Sequence, residues 1–384
     1  MKQSARIISV YASDTSGVCS MLYELGGMVV VHDASGCNST YSTHDEPRWY
    51  RMDSMIYISA LTETDAVLGN DEKLLRDIAE AAKELSPRFI AVCGAPIPLM
   101  TGTDFDAVAA EIEQRCGIPV FGLHTCGMHS YLTGASEALC ALLRRFVRRD
   151  LAKTGQLSVN IIGATPLDFS IDGTVDSMKT LLNENGLEMV SCMAMGSTLD
   201  DIARAGTARV NLVVSSAGLA AARWLEQEFR TPWVAGVPAG KRFSAELIRL
   251  LKQSAGDGVS RCPCTDRTAL QENGGTAIVG ESIFAGSLAR AMELELGKKV
   301  RVLCPLETDP VLLADGDVRI PDEADAIAQF RRADEIIADP MYQPVSPAGI
   351  PFRRLPHEAF SGRCYRKEIP DLIGRELKGI TGIC

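Results

Sequence analysis

Short β-rich apolar runs alternate with helix-length amphipathic stretches along nearly all of this 384-residue chain, and no other feature constrains its fold as strongly. Phe89–Cys93, Leu157–Gly163, Val210–Ser215, Thr276–Gly280, Lys299–Cys304 and Glu335–Ala338 read as buried strands, and Ala5–Val10 and Pro119–Gly122 as shorter ones. Between them, Asp71–Leu85, Phe105–Arg115, Ser136–Leu151, Val175–Glu184, Ala217–Phe229, Ser244–Gln253, Ile283–Glu295 and Asp322–Arg332 carry helical spacing. A helix between successive strands is the connection parallel pairing requires. The expected fold class is α/β, with three doubly wound Rossmann-like parallel-sheet domains around a central cleft. The expected domains are 1–153, 154–256 and 273–384, with the polar stretch 257–272 as a linker.

Charge and hydropathy then exclude several functions. A net charge of −10 and a pI near 5.2 argue against a nucleic-acid partner. No apolar run approaches the roughly 20 residues of a membrane helix. The N-terminal run Ile7–Val10 is too short for a secretion signal. A cytoplasmic protein without a membrane partner is expected.

In a reducing compartment, twelve cysteines point to core thiols, metal ligands or redox groups rather than a disulfide framework. Cys116, Cys140 and Cys192 sit on apolar faces and read as core. Cys19 (SGVCSML), Cys37 (DASGCNST) and Cys93 (AVCGAPIPLMTG) differ. Each follows or ends an apolar run beside Gly or Ser, at an expected loop. Thiolates next to small residues suit an iron–sulfur cluster, because exposed amides can hydrogen-bond the sulfides. The spacing alone equally fits three buried core cysteines.

The flanking residues carry more information. The stretch from Cys93 through Pro96, Pro98, Gly102 and Asp104 resembles the component 1 proteins of nitrogenase, where the third cluster cysteine precedes a Pro-rich run and a helix start. GIPVFGLHTCGMHSYLTGASEAL, the Gly36-Cys37 turn, Gly17-Val18-Cys19 and the block from Ser59 to Leu74 resemble further family segments in the same order. Weaker similarity runs through Ser216–Pro238, Gly274–Asp309, Ile350–Arg353 and Phe360–Gly362. The resemblance implies that Cys19, Cys37 and Cys93 are metal ligands at a dimer face. There they would share a [4Fe–4S] or P-cluster-like [8Fe–7S] cluster with a second copy or a paralogue. It further implies electrons from an ATP-dependent NifH-like iron–sulfur reductase, and reduction of a substrate in the interdomain cleft. A scaffold for metal-cofactor assembly and a non-catalytic electron-transfer protein are the alternatives.

The departures from the family pattern limit the reaction. The cysteine that holds an iron–molybdenum cofactor falls near Val214–Ala217, and its late histidine near Cys364-Tyr365, so that ligand pair is missing and dinitrogen reduction is not expected. Cys364 and His357 are expected in the substrate cleft. His44 and Arg48, in HDEPRWY after Cys37, are the candidate proton relay and carboxylate-binding fork, against the reading of a solvated loop. His124 and His129 flank Cys126 as metal ligands, proton donors or core histidines. Cys262-Pro263-Cys264 reads as a redox pair, a metal site or incidental thiols. The turn Gly280–Gly286 lacks a full G-x-G-x-x-G, and no Walker A sequence occurs, so no nucleotide site is assigned.

Overall fold

In the computed structural model, which describes residues 7, 12–34, 46–270 and 273–378, every strand pairing within the three sheets is parallel. The first sheet contains β1 (Met28–His32), β2 (Met55–Ile58), β3 (Ile90–Gly94) and β4 (Val120–Leu123), in the order β2-β1-β3-β4. The second contains β5 (Ser158–Ile162), β6 (Glu188–Cys192), β7 (Val210–Val213) and β8 (Trp233–Ala235), ordered β6-β5-β7-β8. The third contains β9 (Thr276–Val279), β10 (Val300–Cys304), β11 (Val318–Arg319), β12 (Glu335–Ala338) and β13 (Phe352–Arg354), ordered β11-β10-β9-β12-β13. In each sheet the first strand lies inside and the strand order reverses beside it. That reversal leaves a crevice at the carboxyl ends of the strands, where α/β proteins bind ligands.

Central strands β1, β3, β5, β7, β9 and β10 are buried along their whole length. Helices on both faces require this, which is why these strands read as unbroken apolar runs. The longer helices are α1 (Asp14–Leu22), α2 (Asp71–Leu85), α3 (Phe105–Cys116), α4 (Tyr131–Phe146), α5 (Thr174–Glu184), α6 (Leu219–Phe229), α7 (Lys241–Asp257), α8 (Ser282–Leu296) and α9 (Glu323–Phe330). Among the described residues, no helix is long and apolar enough to cross a membrane.

Sequence and structure differ in places. The amphipathic stretch expected over Ser136–Leu151 starts five residues earlier and stops at Phe146, where Val147 turns extended. Arg148 and Asp150 pair with each other outside the helix. β1, β2, β6 and β11 had no expected strand, and α1 occupies a stretch read as a loop. The polar stretch 257–270 is packed: Arg261 adds backbone bonds to the edge of β8, Cys264 is buried, and Arg267 forms a buried ion pair with Asp317. The expected strand Ala5–Val10 lies outside the described residues, apart from Ile7.

The tightest contact in the first domain is the crossing of α1 over α4. A Cβ on Gly17 would lie 1.9 Å from the Tyr131 carbonyl oxygen, and one on Gly134 would lie 1.9 Å from that of Asp14. Both positions therefore require glycine, although each lies inside a helix, where glycine costs about 1 kcal/mol relative to alanine. Gly17→Ala and Gly134→Ala should each lower stability by about 2–4 kcal/mol in denaturant unfolding, because backbone must move. Gly256→Ala, in α7 with open space around it, should instead gain about 0.5–1 kcal/mol. Equal effects at the three sites would refute the close-crossing account.

Candidate functional site

The carboxyl end of the first sheet is tied to α1 by short polar bonds. The Gly94 carbonyl, at the end of β3, accepts from the Thr15 hydroxyl at 3.1 Å and the Thr125 hydroxyl at 2.7 Å. Thr125 Oγ1 accepts in return from the Gly94 amide at 3.0 Å. Thr15 and Cys19 are four residues apart on α1, so they share one face of the helix. Cys93 precedes Gly94, and Val31 of β1 is its partner across the ladder. Both thiols are fully buried, in the same apolar cluster and on the same side of the sheet. Burial pushes the Cys93 thiol up to about 12. Cys19 therefore lies in a helix rather than the expected loop, and Cys93 ends a strand as expected. Cys37 and His44 lie outside the described residues, Cys37 five positions beyond the end of β1 in sequence. Among the described residues, no three His, Cys, Asp or Glu side chains are grouped as a metal site.

Asp14, in the first turn of α1, orders the neighbouring loop. Its carboxylate accepts from the amides of Cys126 at 2.9 Å and Gly127 at 2.8 Å. Gly127 has φ +72° and lies against Pro96, which opens the short helix Pro96–Thr101 just after Cys93. That helix packs on Glu63–Leu68. Together they leave Leu99, Met100, Val67 and Leu68 between 56% and 85% exposed. Four large apolar side chains on two touching helices form an uncovered patch beside Cys93, and such patches mark interaction surfaces.

A second cluster forms where the carboxyl ends of all three sheets meet. The Tyr131 hydroxyl, from α4, donates to Asp168 Oδ1 at 2.5 Å. His357 Nε2 lies 3.6 Å from the same oxygen, while its Nδ1 accepts from the Ala359 amide. That bond leaves the ring proton on Nε2, which faces Asp168 but makes no hydrogen bond among the described residues. The backbone amide of His357 donates to Asp339, just beyond β12. Glu281, just beyond β9, accepts from the Ser216 amide, just beyond β7, and from the Phe284 amide in its own helix. Its carboxylate thus fills the helix terminus that otherwise attracts anions.

This junction favours protonated groups. Burial and then Asp168 raise the Glu281 carboxyl and hold the Tyr131 phenol well above its ordinary range. Burial also raises Asp339. Cys304, at the end of β10, is pushed up to about 12 by burial and then by Glu281. The sequence reading singled out only His357 here. Asp168, Glu281, Asp339 and Cys304 carry one shared signal, a polar or thiol side chain at or just beyond the end of a buried strand. Cys364, the other expected cleft residue, is exposed and is not brought to this cluster.

Arg48 is a correction to the expected substrate fork. Its Nε donates to Glu46 Oε1 at 2.6 Å and one terminal nitrogen to Glu46 Oε2 at 3.1 Å. The remaining donors reach Glu24 at 2.8 Å and the carbonyls of Ala194 and Ser20 at 2.7 and 2.6 Å. All five guanidinium donors are used inside the protein. The fork exists, but its carboxylate is Glu46. His124 is an exposed ring paired with Glu137 and Asp106, and His129 faces Glu307 at 3.5 Å.

A family model described as nitrogenase component 1 type oxidoreductase matches residues 14–305. The nitrogenase iron-molybdenum cofactor biosynthesis protein NifE of Sinorhizobium fredii is 30% identical over 199 residues, 50% of this chain and 39% of the relative. The nitrogenase molybdenum-iron protein alpha chain of Methanosarcina barkeri is 24% identical over 198 residues, 50% of this chain and 36% of the relative. The matched region thus spans less than half of these relatives. Nitrogenase Cp1 at pH 6.5 superposes with a TM-score of 0.70 at 17% identity, covering 97% of this chain and 92% of that one.

Replacing Arg48 with Met would leave Glu46 and Glu24 without their buried countercharge. The expected loss is about 3–5 kcal/mol in denaturant unfolding. An unchanged unfolding midpoint would rule out the clamp.

Proposed function

The chain belongs to the nitrogenase component 1 type oxidoreductase family, and from that premise we propose that it accepts low-potential electrons through an iron–sulfur cluster held by Cys19, Cys37 and Cys93. The observation that carries this reading is the placement of Cys19 and Cys93. Two thiols 74 positions apart in sequence are buried on one side of the first sheet, at its ligand-binding end. Cys37 follows β1, the strand paired with β3, so its position in the sequence suits the same crevice. The donor set fits the group: a thiol raised to about 12 stays protonated in an apolar core, and iron stabilises the thiolate instead.

When bound, the cluster supplies electrons at low potential. The protein's own residues supply protons and exclude water. Burial raises the Glu281 carboxyl and the Tyr131 phenol toward their protonated forms, and His357 Nε2 faces Asp168 at 3.6 Å. A substrate in the cleft between the three sheets would take electrons from the cluster side and protons from this junction. The absence of a thiol at Val214–Ala217 supports a substrate other than dinitrogen. The exposed patch at Leu99, Met100, Val67 and Leu68 supports a homodimer, or a heterodimer with a paralogue, whose interface shares a [4Fe–4S] or [8Fe–7S] cluster. Three thiolates leave a four-iron cluster one ligand short, which a partner completes. The electron donor in this reading is an ATP-dependent NifH-like iron–sulfur reductase, and the compartment is the cytoplasm.

A second reading is favoured by Cys304 and by the relatives named for cofactor biosynthesis. A soft metal centre arriving at the junction would find one buried thiol there. In that case the chain holds a cofactor precursor for transfer rather than turning over a substrate.

Iron, sulfide and EPR measurements on anaerobically purified protein test the first reading. At least four irons per dimer are expected, with the signal lost in Cys19→Ala, Cys37→Ala and Cys93→Ala. Iron-free protein after reconstitution, or variants that keep their iron, would refute it. Cys304→Ala should leave that cluster intact. If it abolishes a second metal centre the scaffold reading gains, and if it leaves reductase-dependent turnover unchanged the reductase reading gains. Leu99→Asp with Met100→Asp should convert the dimer to monomer in sedimentation and lower the iron content with it. A variant that stays dimeric would remove this patch from the interface.

A further inference from the structure

Outside the cysteine set of the first sheet, and within the field of Glu281, two thiols lie in contact. Cys262 and Cys264 flank Pro263, with their sulfurs 3.5 Å apart, where the chain passes from the second sheet to the third. The two sides of the pair are anchored differently. Arg261, just before it, exchanges backbone bonds with Trp233 and Ala235 at β8. Arg267, just after it, donates to the Cys264 carbonyl at 3.0 Å and the Val300 carbonyl at 3.2 Å, and pairs with buried Asp317. Cys264 is fully buried against α8, where Gly286 leaves room for its backbone. Cys262 is half-buried, with its sulfur 3.6 Å from the Val311 carbonyl.

We propose that Cys262 and Cys264 form a reversible redox dithiol, oxidised by small-molecule disulfides, at the crossing between the second and third sheets. Its basis is geometric. The sulfurs need to approach by about 1.5 Å to reach bonding distance, a movement within reach of side-chain rotation. Neither thiol belongs to the cysteine set assigned to the cluster, so this inference stands independently of that reading.

The two sulfurs have distinct roles. Hydrogen bonds from Cys264 and Thr265, with the Arg267 charge, lower the Cys262 thiol against the opposing effect of its burial, whereas the bond to Cys262 and burial hold Cys264 well above its ordinary range. Cys262 is also the more accessible. Its thiolate attacks one sulfur of the small disulfide, and the first small thiolate leaves. The sulfur of Cys264 then attacks Cys262 in the mixed disulfide, giving up its proton, and the second small thiolate leaves. Two protein thiols become one disulfide, and two electrons and two protons convert the oxidant into two thiols. A ring closed over a single intervening residue is a constrained one, and constrained disulfides are the readily reduced kind that regulatory pairs use. Closing it stiffens the segment between the anchors at β8 and β10.

Trypsin cutting after Arg261 and Arg267 releases both cysteines in one peptide free of any other. The full chain, iron-loaded and iron-free, is incubated with oxidised glutathione, acid-quenched, alkylated in denaturant and digested. The expected result is loss of both alkylatable thiols from that peptide, a mass lower by two hydrogen atoms, and recovery with dithiothreitol. Cys264→Ser should trap a glutathione adduct on Cys262. The proposal is overturned if the wild-type peptide keeps both thiols under conditions that modify exposed Cys364, or if it stops at the mixed disulfide. Should the variant fail to fold, the wild-type peptide map alone decides.

Discussion

The crossing of α1 over α4 is the contact on which both clusters depend. Each helix presents a glycine to the other's backbone, with an approach that no side chain can enter. That closeness brings the Asp14 carboxylate to the Cys126 and Gly127 amides, and the Thr15 hydroxyl to the end of β3. One turn further along α1, Cys19 is carried to the same side of the sheet as Cys93. On the other helix, Tyr131 is held where its phenol meets Asp168, in the turn that follows β5. The thiol face and the proton-bearing junction are therefore set by one packing contact, although they lie on opposite sides of it in sequence.

Buried charge is treated in two different ways in this molecule. Arg48 with Glu46 and Glu24, Arg267 with Asp317, and Arg366 with Glu358 are complete ion pairs, largely withdrawn from solvent. Arg48–Glu24 and Arg267–Asp317 join segments 24 and 50 positions apart, and removing one partner would strand the other. At the junction the carboxyls of Glu281 and Asp339 have no such cationic partner among the described residues, and both are raised. A raised carboxyl binds its proton more tightly in the folded state than in the unfolded one. Its contribution to stability is therefore present at acid pH and is lost as pH rises from the unfolded value through the folded one. The raised carboxyls at the junction therefore cost stability as pH rises, and buried groups perturbed in this way cluster at functional sites.

The architecture was legible in the sequence because its central strands are buried on both faces, which writes them as continuous apolar runs. β3, β5, β7, β9, β10 and β12 were all readable for that reason. β1 carries the same signal in Met28–His32, an apolar run five positions before Cys37, yet it was not assigned as a strand. β2, half-exposed at a sheet edge, has too short a pattern to stand out. At the site, Cys19 and Cys93 were visible through their neighbours and not through their spacing. Arg48 misled for a physical reason: a guanidinium among carboxylates is equally the signature of a substrate fork and of an internal clamp, and only the count of satisfied donors separates them. Asp168, Glu281, Asp339 and Cys304 are single residues at or beyond strand ends. Their meaning depends on three sheets facing one junction, which no local pattern encodes.

That junction also frames the choice between the two functions. A reductase would draw protons from it, and burial raises the Glu281 carboxyl and the Tyr131 phenol there. A scaffold asks it for a soft ligand, and Cys304 is the thiol within the field of Glu281 and Tyr131. The two demands oppose each other at Glu281. Its negative charge, when present, holds the Cys304 proton in place and works against a thiolate. A cation bound at Cys304 would reverse that balance, favouring both the thiolate and the Glu281 carboxylate beside it. A reductase would instead draw on the raised Glu281 carboxyl as a proton source, so the two readings diverge in the charge this one buried group would carry.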